Sequence, residues 1–255
     1  MKTTTRSQKP EAGSRKSTFR ITDHASRITH HRPRAFTLIE LLVVISVIGV
    51  LAALTFPAVR GVKLMVMRAR ARAELVQLET AIERFNHKLG YYPPDNPGNW
   101  AVPPLYYELL GTTNDGVYFR TLDGSTQIKV TDLGSGTTPF GPNITGFVNC
   151  SRPGKGDDLP GAMAFAKGFK LGQFMSITNT GAPTPVFVLG AALEGPPSLG
   201  AASSSSVKFS PWRYNSSSPR YNTKSYDLWI DVMAGDKTNR ICNWSEKAIT
   251  VSTEY

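Results

Sequence analysis

"RAFTLIELLVVISVIGVLAALTFPAVRG", residues 34–61, decides how the chain is read. From Leu41 to Val59 it holds 19 residues without a charge. A helix needs roughly 20 apolar residues to cross a bilayer core, so the run suffices. Its Leu, Val, Ile and Ala would also suit a pair of buried strands, but its length predicts a helix. Glu40, at the start of the stretch, does not fit a plain span. A carboxylate at membrane depth costs a few kcal/mol unless it is paired, which marks it as a functional candidate. The plainer alternative is that Glu40, one turn into the span, reaches back to the headgroups.

The residues before this stretch set its orientation. Positions 1–35 carry nine Lys or Arg against Glu11 and Asp23, which is +7 of the formal +10 of the whole 255-residue chain. They show no apolar periodicity and read as a basic leader. Lys and Arg ahead of an apolar span are retained on the cytoplasmic side. Only +3 is left for the rest, which argues against nucleic-acid binding by the folded part. An ordinary secretory cleavage site fits poorly, because the residues around Ala52 and Ala53 lack the small-x-small pattern.

After the span the helical pattern continues. Pro57 should kink the helix, and Gly49 and Gly61 loosen the same region. Leu75, Leu78, Ile82, Phe85 and Leu89 then recur at alternating steps of three and four, the apolar face of an amphipathic helix. Arg68, Arg70, Arg72, Glu74, Glu79, Glu83 and Arg84 fall mostly on solvated faces. Gly90 and Pro93-Pro94 end the pattern. One helix over 36–89 would be roughly 80 Å long, too long for a globular domain to bury. Its first half must lie in a membrane or against copies of itself, and its second half packs on a domain.

The remainder reads as β-rich. Candidate strands are 116–122, 127–133, 144–150, 184–190, 225–232 and 247–253, separated by Gly- and Pro-rich turns and by the Ser-rich loops "AASSSS" and "NSSSP". The class is α+β: a long N-terminal transmembrane helix on an antiparallel sheet with long loops. The divisions are a leader over 1–35, a membrane half of the helix over 36–59, an amphipathic half over 60–90 and a globular domain over 91–255.

The neighbours of Glu40 carry more. "RAFTLIELLVV" resembles the prepilin processing motif of type IV pilins and type II secretion pseudopilins. The resemblance implies a pilin-like fold, cleavage between Ala35 and Phe36, and methylation of the new amine at Phe36. Ala35 stands where the family usually has Gly. Pro57 matches the family's helix-kinking proline. Glu40 and Pro57 become assembly residues, with Glu40 pairing with the terminal amine of a neighbour. Independently of the family, a carboxylate at a helix N-terminus is favoured by the macrodipole, and a nearby cation offsets its burial.

"LGYYPPDNPGNW" and "SYDLWIDVMAGDKTNRICNWS" are similar to segments of the major, G-type pseudopilin of type II secretion. The resemblance covers about 34–100 and 224–245 and leaves 105–220 unmatched. In that group the loop after "YDLW" binds calcium, which here falls on Asp231 and Asp236, oxygen ligands suited to a hard cation. Arg240 stands near where a second family Asp would be, and an Asp-rich surface turn is the plainer reading. Trp229 and Trp244 are read as core. No cofactor other than calcium is implied. Cys150 and Cys242 are candidates for one disulfide if this part is exported, or two thiols otherwise.

No enzyme motif appears. Beyond the leader there is one histidine, His87, and there is no P-loop, nucleophile elbow, HExxH or CxxC pair. The expected function is a structural subunit of a type II secretion pseudopilus, anchored in the bacterial inner membrane with a periplasmic domain. The implied partners are further copies in a filament, minor pseudopilins, the assembly platform and a prepilin peptidase. The alternatives are a type IV pilus subunit for adhesion, motility or DNA uptake, and a membrane-anchored periplasmic binding domain that does not polymerise.

Overall fold

The computed structural model describes residues 36–152, 161–179, 181–196, 208–234 and 237–251, with only the backbone for 55–61, 63, 179 and 234. The chain divides into two units, one ending at Ala52 and one beginning at Ala53.

In the first unit the described residues form the start of helix α1, Leu38–Leu89. α1 is continuous through Pro57. Side chains from Phe36 to Leu51 are exposed, as are Ala53 and Leu54, and most are Leu, Ile and Val. Among the described residues no helix is long and apolar enough to cross a membrane. The described part of the apolar run ends at Leu54, and the remainder of the expected span, 55–59, has side chains that lie outside the described residues.

In the second unit α1 becomes the spine of the core. Ala71, Leu75, Leu78, Ala81, Ile82 and Phe85 are buried, and Leu89 is half-buried against them. This is the predicted face, widened by two alanines. The helix ends at Leu89, and Gly90 takes a left-handed φ of 85° while its N–H bonds the Asn86 carbonyl at 2.7 Å.

Three sheets pack with it. The first has the order β3-β2-β1-β4, from β1 (Thr112–Asn114), β2 (Tyr118–Thr121), β3 (Gln127–Lys129) and β4 (Cys150–Ser151). Its β1–β4 pair is parallel, a local exception. The second is β5 (Phe174–Asn179), β6 (Ala182–Ala191) and β7 (Ser210–Pro211), all antiparallel. The third is fully antiparallel with order β11-β10-β9-β8, from β8 (Arg213–Asn215), β9 (Asp227–Ala234), β10 (Lys237–Cys242) and β11 (Ser245–Val251). A short helix α2, Leu105–Leu110, is buried at all six positions. The fold is α+β with mainly antiparallel sheets.

β9 is buried on both faces. Leu228, Ile230 and Val232 join the core that α1 builds, while Trp229 and Asp231 face the other way with Trp229 near Trp100 and Trp244. That is why "YDLWIDV" reads as a nearly continuous apolar run rather than an alternating one.

Several expectations for this unit need correction: Glu74 is buried rather than solvated, and the segment 127–133 is a strand only to Lys129 and continues as a 3-10 turn over Val130–Asp132. Arg72 does not lie on a solvated face: half-buried, it donates to the carbonyls of Cys242 at 2.9 Å, Ser245 at 2.7 Å and Glu246, clamping α1 to the β10–β11 hairpin. The segment 144–150 is not a strand except at its end. The N–H groups of Val148 and Asn149 are used by the carboxylate of Glu108, which leaves only Cys150 and Ser151 to pair.

Candidate functional site

The first site is the start of α1, and local chemistry builds it. Thr37 precedes the first helical residue, and its Oγ1 accepts the N–H of Glu40 at 3.2 Å. The Glu40 carboxylate returns the contact, with Oε2 accepting the Thr37 N–H at 2.9 Å and the Thr37 hydroxyl at 2.9 Å. This is a capping box, Thr-x-x-Glu, which satisfies backbone donors that the first turn of any helix leaves open. The carboxylate also lies at the positive end of the helix dipole. Glu40 therefore has a local task that the sequence reading does not assign to it, and its signal is the Thr37–Glu40 spacing. Phe36 is 74% exposed just before this turn. Ala35 lies outside the described residues, as does the side chain of Pro57.

The second site is the "YDLW" sheet. Asp231 on β9 stands directly across from Arg240 on β10. Arg240 grips it in two places, Nε to Oδ1 at 2.8 Å and Nη2 to Oδ2 at 2.9 Å. Arg213 on β8 also donates to Oδ2. All three side chains are at most 9% exposed. Burial alone would favour neutral arginine, but bonding to Asp231 raises the Arg240 pKa above its ordinary value. Both oxygens of Asp231 are thus used by cations of the chain itself, so in this arrangement the side chain turns inward and offers no oxygen to calcium. Arg240, opposite it on β10, is the residue that captures it. Asp236 lies outside the described residues. Among the described residues no group of three or more His, Cys, Asp or Glu could hold a metal. Trp229 is fully buried and Trp244 half-buried, as a core reading expects.

The cysteines are not bridged. Cys150 is half-buried on β4 and Cys242 buried on β10, in different sheets, and both are free thiols. Burial pushes both thiols above their ordinary pKa, which favours the protonated form at neutral pH.

A third feature has no counterpart in the sequence reading. Glu108 on α2 is fully buried and accepts the N–H groups of Val148 and Asn149, each at 2.8 Å. Burial pushes its pKa up to about 7, against the opposing pull of those two amides. Asn149 completes the knot, donating to the Glu108 carbonyl at 2.7 Å and the Met163 carbonyl at 2.6 Å and accepting the Met163 N–H at 2.9 Å. Carboxylates also knit the 215–226 loop. Asp95 accepts the N–H groups of Ser216 and Ser217, and Asp227 those of Arg220, Tyr221 and Asn222. These groups are absorbed by the fold and form no catalytic arrangement.

Comparison with known proteins finds a match at the start of the chain. Residues 30–56 match the model of the prokaryotic N-terminal methylation motif, which takes in the capping box and most of the apolar run. The chain is also similar to type II secretion system core protein G of Pectobacterium carotovorum subsp. carotovorum, 38% identical over 95 residues, covering 36% of this chain and 60% of that protein. The protein of the same name from Escherichia coli K12 is 39% identical over 93 residues, covering 36% and 64%, and that of Klebsiella pneumoniae 39% over 71 residues, covering 28% and 51%. The chain thus spans about three fifths of the length of the first two. No solved structure gives a significant match.

Proposed function

We propose that this chain is the structural subunit of a type II secretion pseudopilus. On this reading it is made as a membrane-anchored precursor, cut between Ala35 and Phe36, methylated at Phe36 and built into a helical filament. The observation that carries it is the coincidence of a methylation motif over 30–56 with an α1 that begins at Leu38 and exposes its Leu, Ile and Val side chains from there to Leu54. A helix that presents Leu, Ile and Val on all sides needs lipid or copies of itself around it. The likeness to the core G proteins favours secretion over a type IV pilus. The calcium expectation now rests on Asp236 alone.

On this reading Glu40 has two tasks, closing the first turn of α1 and supplying a negative charge for the amine of a neighbouring subunit. The two are separable. Glu40→Gln keeps a capping-box acceptor and removes the charge; Glu40→Ala removes both. Filament yield should fall for both variants if the charge is needed. Normal filaments from Glu40→Gln would reduce Glu40 to a cap. The processing step is tested by sequencing the mature amino terminus. A methylated Phe36 is expected, whereas an intact Met1 or a terminus near Thr55 would refute the reading.

A further inference from the structure

The segment "FAKGFKLGQF", 165–174, is held in one shape. Its aromatic rings face inward: Phe165 packs on Phe85 with centroids 5.0 Å apart, and Phe169 and Phe174 pack on Tyr106 at 5.6 and 5.2 Å. The turn is closed twice. The Gln173 N–H donates to the Lys170 carbonyl, and the Lys170 N–H donates to Gln173 Oε1, both at 2.9 Å. Gln173 also donates to Gln77 of α1 at 3.1 Å. Gly168 and Gly172 supply the left-handed φ values of 105° and 89° that the reversal requires.

With its rings turned in, this frame presents Lys167, Lys170 and Leu171 outward. Leu171 is 93% exposed, more than any other large apolar side chain among the described residues. Arg70 of α1 lies beside the turn, its guanidinium 3.6 Å from where a Cβ on Gly172 would stand, and its side chain is 47% exposed. The acid in contact with Arg70 is Glu74, whose side chain is 9% exposed and bonds Arg70 at 3.1 Å.

The sequence extends the pattern in both directions. Residues 161–193 contain no Asp or Glu. Residues 41–73 contain none either, yet hold Arg60, Lys63, Arg68, Arg70 and Arg72. On the same stretch of α1, Val62, Met65 and Val66 are exposed. A single exposed leucine is ordinary. A leucine at the tip of a fixed turn, flanked by Lys167 and Lys170 and beside a stretch of α1 that over 41–73 is apolar and basic, has the composition of a surface that settles into an anionic lipid interface.

We propose that Arg70, Lys167, Lys170 and Leu171 form a lipid-contact patch. It rests on anionic phospholipid headgroups while the chain is anchored in the membrane, with Leu171 set into the interface. The proposal rests on the membrane-anchored reading given above. It deepens that reading: a subunit leaving the bilayer must release this contact as well as its helix. The test is hydrogen–deuterium exchange of the 166–173 amides in the full chain held in nanodiscs of phosphatidylcholine with or without phosphatidylglycerol.

Slower exchange is expected in the anionic discs, and the difference should disappear at high salt. Each Lys or Arg near an anionic surface contributes about fivefold, so Lys167→Gln with Lys170→Gln should reduce the protection roughly 25-fold. Leu171→Ser should lower it without changing its salt dependence. Equal exchange in the two lipids would overturn the proposal, and so would protection that survives in the double variant. Protection that arises only when two copies share a disc would assign the patch to a subunit contact instead. A chain that does not enter nanodiscs at all refutes the anchored reading itself, which is seen before any exchange is measured.

Discussion

Glu108 should make the folded part less stable as the pH rises. Its carboxyl ordinarily titrates at 4.5 and is pushed to about 7 in the fold. Between those values the folded state keeps a proton that the unfolded chain has released. Stability is therefore highest below the unfolded value and is lost as pH climbs through the folded one, at about 1.4 kcal/mol per pH unit. Over this window the loss comes to about 3 kcal/mol, a large share of an ordinary domain's stability. The assay is urea unfolding followed by tryptophan fluorescence from pH 4.5 to 8, since Trp100, Trp212, Trp229 and Trp244 all lie in the second unit. Other buried acids contribute to the slope: Glu74 and Glu79 are also raised by burial. The comparison with Glu108→Gln isolates the one group. That variant keeps one acceptor for the two amides and should be weaker by about 1–3 kcal/mol at low pH, with the gap to the parent narrowing toward pH 8. Parallel pH profiles for parent and variant would refute the assignment.

Three further outcomes follow from packing. Arg72→Ala removes the clamp on Cys242, Ser245 and Glu246 and should cost about 3 kcal/mol in denaturant unfolding, with Arg72→Lys intermediate because it lacks the planar fork. Asp231→Asn leaves two buried guanidiniums without their shared counter-charge. It should cost about 3–5 kcal/mol, and equally in calcium and in EDTA; a loss confined to calcium-containing buffer would restore the calcium role of Asp231. Gly111 has φ 74° and ψ 154°, a region almost reserved for glycine, and a Cβ there would stand 2.8 Å from the Met163 carbonyl and 2.9 Å from Leu122 Cδ1. Gly111→Ala should lower the thermal midpoint by the equivalent of about 3 kcal/mol.

The parts of the fold legible in the sequence were those with a long period. The face Leu75, Leu78, Ile82, Phe85 repeats over three turns, and β6, β9 and β11 lie in long β-branched runs. What the pattern could not give depends on distant partners. α2 is buried at every position and has six residues, so it has no stripe for a period to reveal. Arg72 looks solvated by helical position, because the carbonyls it serves lie on a hairpin about 170 positions away. "ITGFVNC" has strand composition, yet Glu108 takes its amides before a neighbouring strand can. Asp231 reads as a surface ligand only until Arg240 is placed across from it by strand register. The capping box is the reverse case. Thr37 and Glu40 are three apart, a signal fully local, but one that a purely membrane-based reading of Glu40 passes over.

That cap has a consequence for processing. The atoms that close the first turn of α1 belong to Thr37 and Glu40. A cut ahead of Phe36 removes none of them. On the proposed reading, a leader could therefore be discarded while every contact of the cap is kept, and the new amine would stand next to a turn that is already closed. Trimming would then change the charge at the start of α1 and leave its first turn as it is, so that processing and the shape of the helix would be independent.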